Sequence, residues 1–228
     1  MRDFSYLLKD NYPYSSREIL YIFGKFLNKK AKDKDSILIS AYKNKVPIFC
    51  PAFGDSALGF SIMFANRPFP GKKRYMIKNI SGKPVKLRVK NVIVDMIKDV
   101  NESSRITEKA NVTGVIYLGG GTPKNYIQQT TVISGYQTRH DKSHSFAAQI
   151  TTDMPQWGGL SGCTFEEAQS WGKIKPNAKM AICHCDATIG LPIVIHALED
   201  KFKRLRREVP EFKFRNGTVK IDYEKMSL

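Results

Sequence analysis

The chain has 228 residues, 42% hydrophobic and 25% charged, enough for one good-sized soluble domain and possibly slightly more. No apolar run approaches the length of a membrane span and no signal peptide opens the chain, so membrane-spanning and secreted classes are not expected. The formal charge of +16 is large, but it is scattered over Lys29-Lys30, Lys72 to Arg74 and Lys201 to Arg207 with no recognised nucleic-acid motif; nucleic acid is not the expected partner. Four cysteines, Cys50, Cys163, Cys183 and Cys185, form no CxxC pair, which fits a reduced, cytoplasmic protein.

In chain order, residues 15–31 read as a helix. Ser15 and Glu18 have capping-box spacing, and Ile19, Ile22, Phe23, Phe26 and Leu27 form one apolar face. Lys29 to Asp35 reads as a solvated connector, and Val46 to Cys50 as a short buried strand ended by Pro51. "PFPGKK" and "SGKP" read as turns, and a helix is expected around Val89 to Glu102. "TGVIYLGGG" is an apolar strand running into Gly119, Gly120 and Gly121. "TPKNYIQQTTVIS" follows as a helix with Pro123 near its first turn, where proline is tolerated.

"FAAQITT" is a further buried strand. "TFEEAQSWGK" is a helix with Thr164 as N-cap and Glu167 three residues on. "KMAICHCDAT" is a strand and "LPIVIHALEDKFKRLRREV" a long final helix. Strand–helix alternation with short loops predicts an α/β fold: a Rossmann-like, mostly parallel sheet with helices on both faces. The expected organisation is an N-terminal helical segment over 1–35, a catalytic domain over 36–209 and a C-terminal tail over 210–228.

In an open parallel sheet, ligands bind outside the carboxyl ends of the strands. Asp55, Gly119 to Gly121, Thr151-Thr152-Asp153 and Asp186 are expected at such ends. A glycine-rich turn lets backbone approach a phosphate at a helix N-terminus. "GGGTPK" is, however, neither GxGxxG nor GxxxxGK[ST], and a tight strand-to-helix turn explains it as well. Lys173 also has two readings. Near a helix C-terminus a lysine favours the dipole. Beside Trp171, a lysine withdrawn from water is a nucleophile able to form a Schiff base. His140 and His144 fall in a polar stretch expected at the surface. His184 points away from Cys183 and Cys185 on a strand, so no metal site is expected.

"LGGGTPKNYI", "GGLSGCTFEEAQSWGKI" and "CDAT", with "PAFGDSALG", resemble the deoxyhypusine synthase family in order and spacing, over residues about 36–200. "GGGTPKN" and "QITTD" resemble its bacterial deoxyhypusine synthase-like branch, whose members are thought to make homospermidine-type products. The resemblance implies a Rossmann-like fold that binds NAD and moves the aminobutyl group of spermidine through a lysine imine to an amine acceptor. It implies that Lys173 forms the imine, Trp171 packs against the polyamine and Glu167 binds an ammonium. Asp55, Thr152, Ser161 and Asp186 match positions near NAD, joining Gly119 to Gly121. Tyr126 falls at a substrate-binding position. Phe60 and Leu160 stand where hypusine-making enzymes carry aspartates, and Asn125 and Tyr126 where they carry histidines. Losing two carboxylates removes ammonium partners.

The family's N-terminal third has no counterpart in this reading. The expected partners are therefore a polyamine and further subunits, in a tetramer-like homo- or hetero-oligomer that could include a separate N-terminal-half subunit. A non-catalytic or partner-dependent subunit of a split enzyme is the alternative reading.

Overall fold

The computed structural model describes residues 2–5, 7–67, 76–78, 84–86, 89–204, 208–215 and 217–225. "PFPGKK", Lys72 to Arg74, Leu205 to Arg207 and all of "SGKP" except Pro84 lie outside the described residues. The chain divides into two compact units, 1–99 and 100–228.

The first unit holds α1 (Arg2–Ser5), β1 (Pro13–Tyr14), α2 (Ser16–Lys30), α3 (Ile37–Lys43), α4 (Ala57–Asn66), β2 (Met76–Lys78), β3 (Pro84–Lys86), β4 (Ile93–Val94) and the start of α5 (Met96–Lys109). The capping box forms as expected: Ser15 Oγ accepts from Glu18 N, and Glu18 Oε2 accepts from Ser15 N. Lys98 Nζ pairs with that glutamate at 2.6 Å. The apolar face of α2 packs Ile19, Leu20 and Phe23 onto Phe4, Tyr14, Phe53, Leu58 and Ile62.

Two expectations fail in this unit. Val46 to Cys50 is not a strand. Pro47 has no amide hydrogen for a ladder, and the Cys50 amide donates to Ser16 Oγ instead. The helix expected over Val89 to Glu102 starts at Met96, because Asp95 caps it by accepting from Lys98 N. Residues 93–94 are occupied instead as β4, paired parallel with β1.

The second unit holds the remainder of α5, then β5 (Gly114–Leu118), α6 (Thr122–Thr138), β6 (His144–Thr151), α7 (Phe165–Ser170), β7 (Ile174–His184), α8 (Ala187–Arg204), β8 (Glu208–Arg215) and β9 (Thr218–Lys225). Strands β5, β6 and β7 form a parallel sheet in that order. Register pairs Tyr117 with Gln149 and Leu118 with Ile150, so side chains alternate between two faces. On the Tyr117 face, α7 contributes Phe165 and Ala168 to a core with Ala147 and Ile174, and α6 contributes Lys124. On the Ile150 face, Gly190 of α8 packs directly on Ile150. Helices thus cover both faces of a parallel sheet, the Rossmann-like arrangement expected.

Cover on the Ile150 face is partial: Ile116 is 70% exposed and Phe146 and Leu118 are also exposed. Between α5 and α6 the contact is polar. Thr107 Oγ1 donates to Thr130 Oγ1 at 3.0 Å, Ser134 Oγ donates to Ser104 O at 2.8 Å, and Ser103 shares a 2.9 Å hydrogen bond with the Tyr126 hydroxyl. Residues 210–215 and 218–225, inside the span expected as a tail, belong to the antiparallel strands β8 and β9. Strand β7 starts earlier than expected, at Ile174, and α8 starts at Ala187 with Pro192 inside it. His144, expected at the surface, opens β6 and is buried, with Nδ1 2.8 Å from Thr113 Oγ1. Burial lowers its pKa to about 4. No helix among the described residues is long and apolar enough to cross a membrane.

Candidate functional site

The carboxyl ends of β5, β6 and β7 carry the glycine turn, Thr152 and Asp186. Gly119 and Gly121 have φ of 74° and 73°, a region that glycine enters without a steric penalty. At both positions the direction a side chain would take is open space. Gly121 is the N-cap of α6 and brings no side chain to cap it, so the first-turn amides face outward toward any anion that approaches. Gly120 is the opposite case. A β-carbon there would lie 2.4 Å from Ser161 Cα and 2.7 Å from Ser161 Oγ. The glycine turn is therefore pressed against the Ser161-Gly162 loop.

Thr152 is exposed just after β6. Asp186 caps α8: its Oδ1 accepts from Thr188 N at 2.8 Å and Thr188 Oγ1 at 2.6 Å. Those bonds hold its carboxyl below the usual carboxylate range. Its second oxygen has no hydrogen bond to a described residue.

Lys124 and Gln149 hold the two glycine-rich loops together, and the sequence reading overlooked both. Lys124 is 3% exposed. Its Nζ donates to Cys163 O at 2.7 Å, Gln149 Oε1 at 3.1 Å and Ser161 O at 3.4 Å. The Gln149 amide in turn donates to Gly119 O at 2.9 Å and Ser161 O at 3.1 Å. Burial pulls the Lys124 ammonium below the ordinary lysine range, and nearby Lys173 adds to this. The Tyr117 ring lies 5.5 Å from Lys124 Nζ, and burial pushes the Tyr117 hydroxyl up to about 12. A signal for Lys124 was present in the sequence. A cation in the first turn of a helix opposes the macrodipole, so it needs acceptors elsewhere.

Lys173 follows a short helix built for it. Thr164 caps α7 by accepting from Glu167 N, Trp171 is the C-cap, and Gly172 takes φ of 67° to turn the chain. Lys173 N then bonds Ala168 O at 2.9 Å. The next residue, Ile174, pairs with His144, the first residue of β6. Lys173 thus leaves the backbone at the amino end of the strands, and its side chain reaches back to the first turn of α6. Its side chain is buried, with the residue 8% exposed. Its Nζ donates to Asn125 Oδ1 at 3.1 Å, in the first turn of α6, and lies 5.8 Å from the Trp171 ring centroid. No carboxylate among the described residues lies within ion-pair distance of Lys173.

Around this lysine the chemistry is mixed. Burial pushes the Cys163 thiol up and neighbouring Glu167 raises it further, while Lys124 and Lys173 oppose. Glu167 is exposed. Trp171 is 67% exposed and lines a cleft of about 350 Å³ with Tyr136, Arg139 and Asp141. The structure therefore brings together Gly119 to Gly121, Ser161, Lys124, Gln149, Asn125, Cys163, Glu167, Trp171 and Lys173. Thr152 and Asp186 share the strand-end edge with the glycine turn. Tyr126 directs its hydroxyl to Ser103 of α5. Asp55 ends a 3₁₀ turn, Phe53–Asp55, in the first unit and is exposed there. Phe60 and Leu160 are both exposed.

Comparison with known proteins adds the family. The family model described as deoxyhypusine synthase matches residues 2–198, so the match takes in residues 2–35 of the N-terminal segment as well. A probable deoxyhypusine synthase 2 of Methanosarcina acetivorans is 46% identical over 212 residues, 92% of this chain and 55% of that protein. A protein of the same description from Archaeoglobus fulgidus is 46% identical over 184 residues, 81% of this chain and 53% of its own length. A deoxyhypusine synthase-like protein of Elusimicrobium minutum is 34% identical over 211 residues, 92% of this chain and 51% of its own. The chain spans about half the length of the curated relatives it matches. It belongs to the deoxyhypusine synthase family.

Proposed function

From that family membership, we propose that this chain supplies the lysine-bearing part of an NAD-dependent aminobutyl transferase. The donor is spermidine or a related polyamine. The observation that carries the reading is Lys173: a nearly buried amine held by a neutral amide and an aromatic ring, with no carboxylate among the described residues paired to it. A lysine so placed is available as a nucleophile.

The glycine turn fits a dinucleotide. Open space over Gly119 and Gly121, the uncapped start of α6 and the second oxygen of Asp186 suit a pyrophosphate and a ribose hydroxyl respectively. When bound, that cofactor supplies hydride removal from the carbon beside the secondary amine of the donor, and hydride return at the end. The steps assigned to this chain centre on Lys173. Its free amine attacks the oxidised carbon. The bond from that carbon to the diaminopropane nitrogen breaks, and diaminopropane leaves with a proton. Lys173 then holds the four-carbon unit as an imine until an acceptor amine displaces it and restores the free lysine. Trp171 offers a flat apolar wall to the methylenes, and Glu167 an acceptor for a terminal ammonium.

The acceptor we favour is a small amine, giving a homospermidine-type product. Phe60 and Leu160 offer no carboxylate, and Asn125 and Tyr126 no imidazole, at positions where the hypusine-making pattern has them. The archaeal relatives, at 46% identity, carry the deoxyhypusine synthase name, so a lysine of the hypusine-bearing translation factor is the competing acceptor. A second reading makes the transfer depend on a companion subunit. Labelled spermidine and NAD, given to the purified chain with and without extract of its own cells, test these readings. Labelled homospermidine-type product supports the small acceptor, and labelled protein the translation factor. Product only with extract supports the companion. No product under any condition contradicts the transferase reading.

A further inference from the structure

We infer that Cys183 and Cys185 form a reversible dithiol site, closed to an intramolecular disulfide by exchange with a small disulfide such as oxidised glutathione.

The two sulfurs lie 3.5 Å apart at the carboxyl end of β7. Two features of the backbone put them there. Residues two apart on a strand share a face. The strand also ends in a tight turn, because Cys185 N donates to Cys183 O at 3.1 Å. That three-residue turn draws Cys185 back toward Cys183. A disulfide needs the sulfurs at about 2 Å and the α-carbons within roughly 7 Å, so closure asks for a small side-chain movement. Cys183 is exposed and Cys185 half-buried. The exposed thiol meets the oxidant and the inner one resolves it. Cys185 is held up as a thiol mainly by its hydrogen bond with Cys183, with further repulsion from Asp186.

The reaction balances. Cys183, as thiolate, attacks one sulfur of the small disulfide, forming a mixed disulfide and releasing one small thiol. Cys185 gives up its proton and attacks Cys183 Sγ, releasing the second small thiol. The protein pair loses two electrons and two protons, and the small disulfide gains them.

The position gives closure a consequence. A β-carbon on Gly190 would lie 2.7 Å from Cys185 Sγ, so α8 sits directly against this sulfur. Asp186, the cap of α8, is the next residue. Moving Cys185 toward Cys183 disturbs the start of α8 and the carboxylate assigned to the cofactor. This last step rests on the cofactor reading given above; the disulfide itself does not.

The test is an equilibration of the full chain in buffers of increasing oxidised-to-reduced glutathione ratio, followed by acid quenching, alkylation and peptide mapping. The expected result is a peptide holding Cys183 and Cys185 that has lost two hydrogens, takes no alkyl group and is restored by dithiothreitol. In Cys185→Ser the unresolved mixed disulfide should accumulate on Cys183. Full alkylation of both cysteines, or mixed disulfides alone in the wild-type chain, would overturn the proposal. NAD binding is measured on the same samples, and a several-fold weaker affinity is expected once the disulfide closes. Disulfide formation with unchanged affinity overturns the coupling. A reduced chain that binds no NAD counts against the cofactor reading, while the mass shift still decides the disulfide.

Discussion

Gly120 sits against Ser161 at a separation that no side chain fits: a β-carbon there would lie 2.4 Å from Ser161 Cα. The contact is to backbone, so relief requires one of the two glycine-rich loops to move. Gly120→Ala is expected to lower stability by about 1–3 kcal/mol, the usual cost of overpacking. Gly54→Ala, where a β-carbon meets nothing within 4 Å, serves as the comparison and should change little. Urea unfolding measures both. Equal stability of the Gly120→Ala chain and wild type would contradict the close approach.

Lys124 carries the second prediction. Lys124→Met removes a buried cation but leaves Gln149 Oε1 and Cys163 O without their donor. Unsatisfied buried acceptors cost about 1–3 kcal/mol, and the variant should lose stability on that scale. A methionine variant at least as stable as wild type would show that the ammonium contributes nothing to holding the loops.

His144 predicts a pH dependence. Burial depresses its native value to about 4 from the ordinary 6.5. As pH falls, the unfolded chain takes the proton first. The contribution is therefore complete above pH 6.5, falls between 6.5 and 4, and is constant below 4. Its full size is about 3 kcal/mol. Urea midpoints taken across this range should fall more steeply for wild type than for His144→Gln. Parallel profiles would contradict the assignment.

Ser15 predicts a local effect. It caps α2 and is fully buried, so Ser15→Ala should cost about 1 kcal/mol. An unchanged thermal midpoint would contradict the capping box.

Elements whose signals are local were legible in the sequence. The Ser15–Glu18 box, the Thr164 cap and the strand running into Gly119 all depend on neighbours within a few residues. Elements decided by distant partners were not. Cys50 gave its amide to Ser16, 34 positions away, in place of a strand partner. His144 looked polar and exposed, but β6 carries it inward beside Thr113. In the site, the grouping of Lys173 with Trp171 and Glu167 followed from adjacency in the chain. The link from Lys173 to Asn125, and the Lys124–Gln149 clamp, needed the fold to bring α6, β6 and the Ser161 loop together.

Borohydride trapping tests the central claim most directly. The chain is incubated with NAD, labelled spermidine and extract of its own cells, reduced, and mapped by mass spectrometry. The account predicts an aminobutyl adduct on Lys173, absent from a Lys173→Arg chain that keeps its fold, because arginine cannot form the imine. An adduct on a different lysine, or none while the extract makes product, would contradict the role given to Lys173.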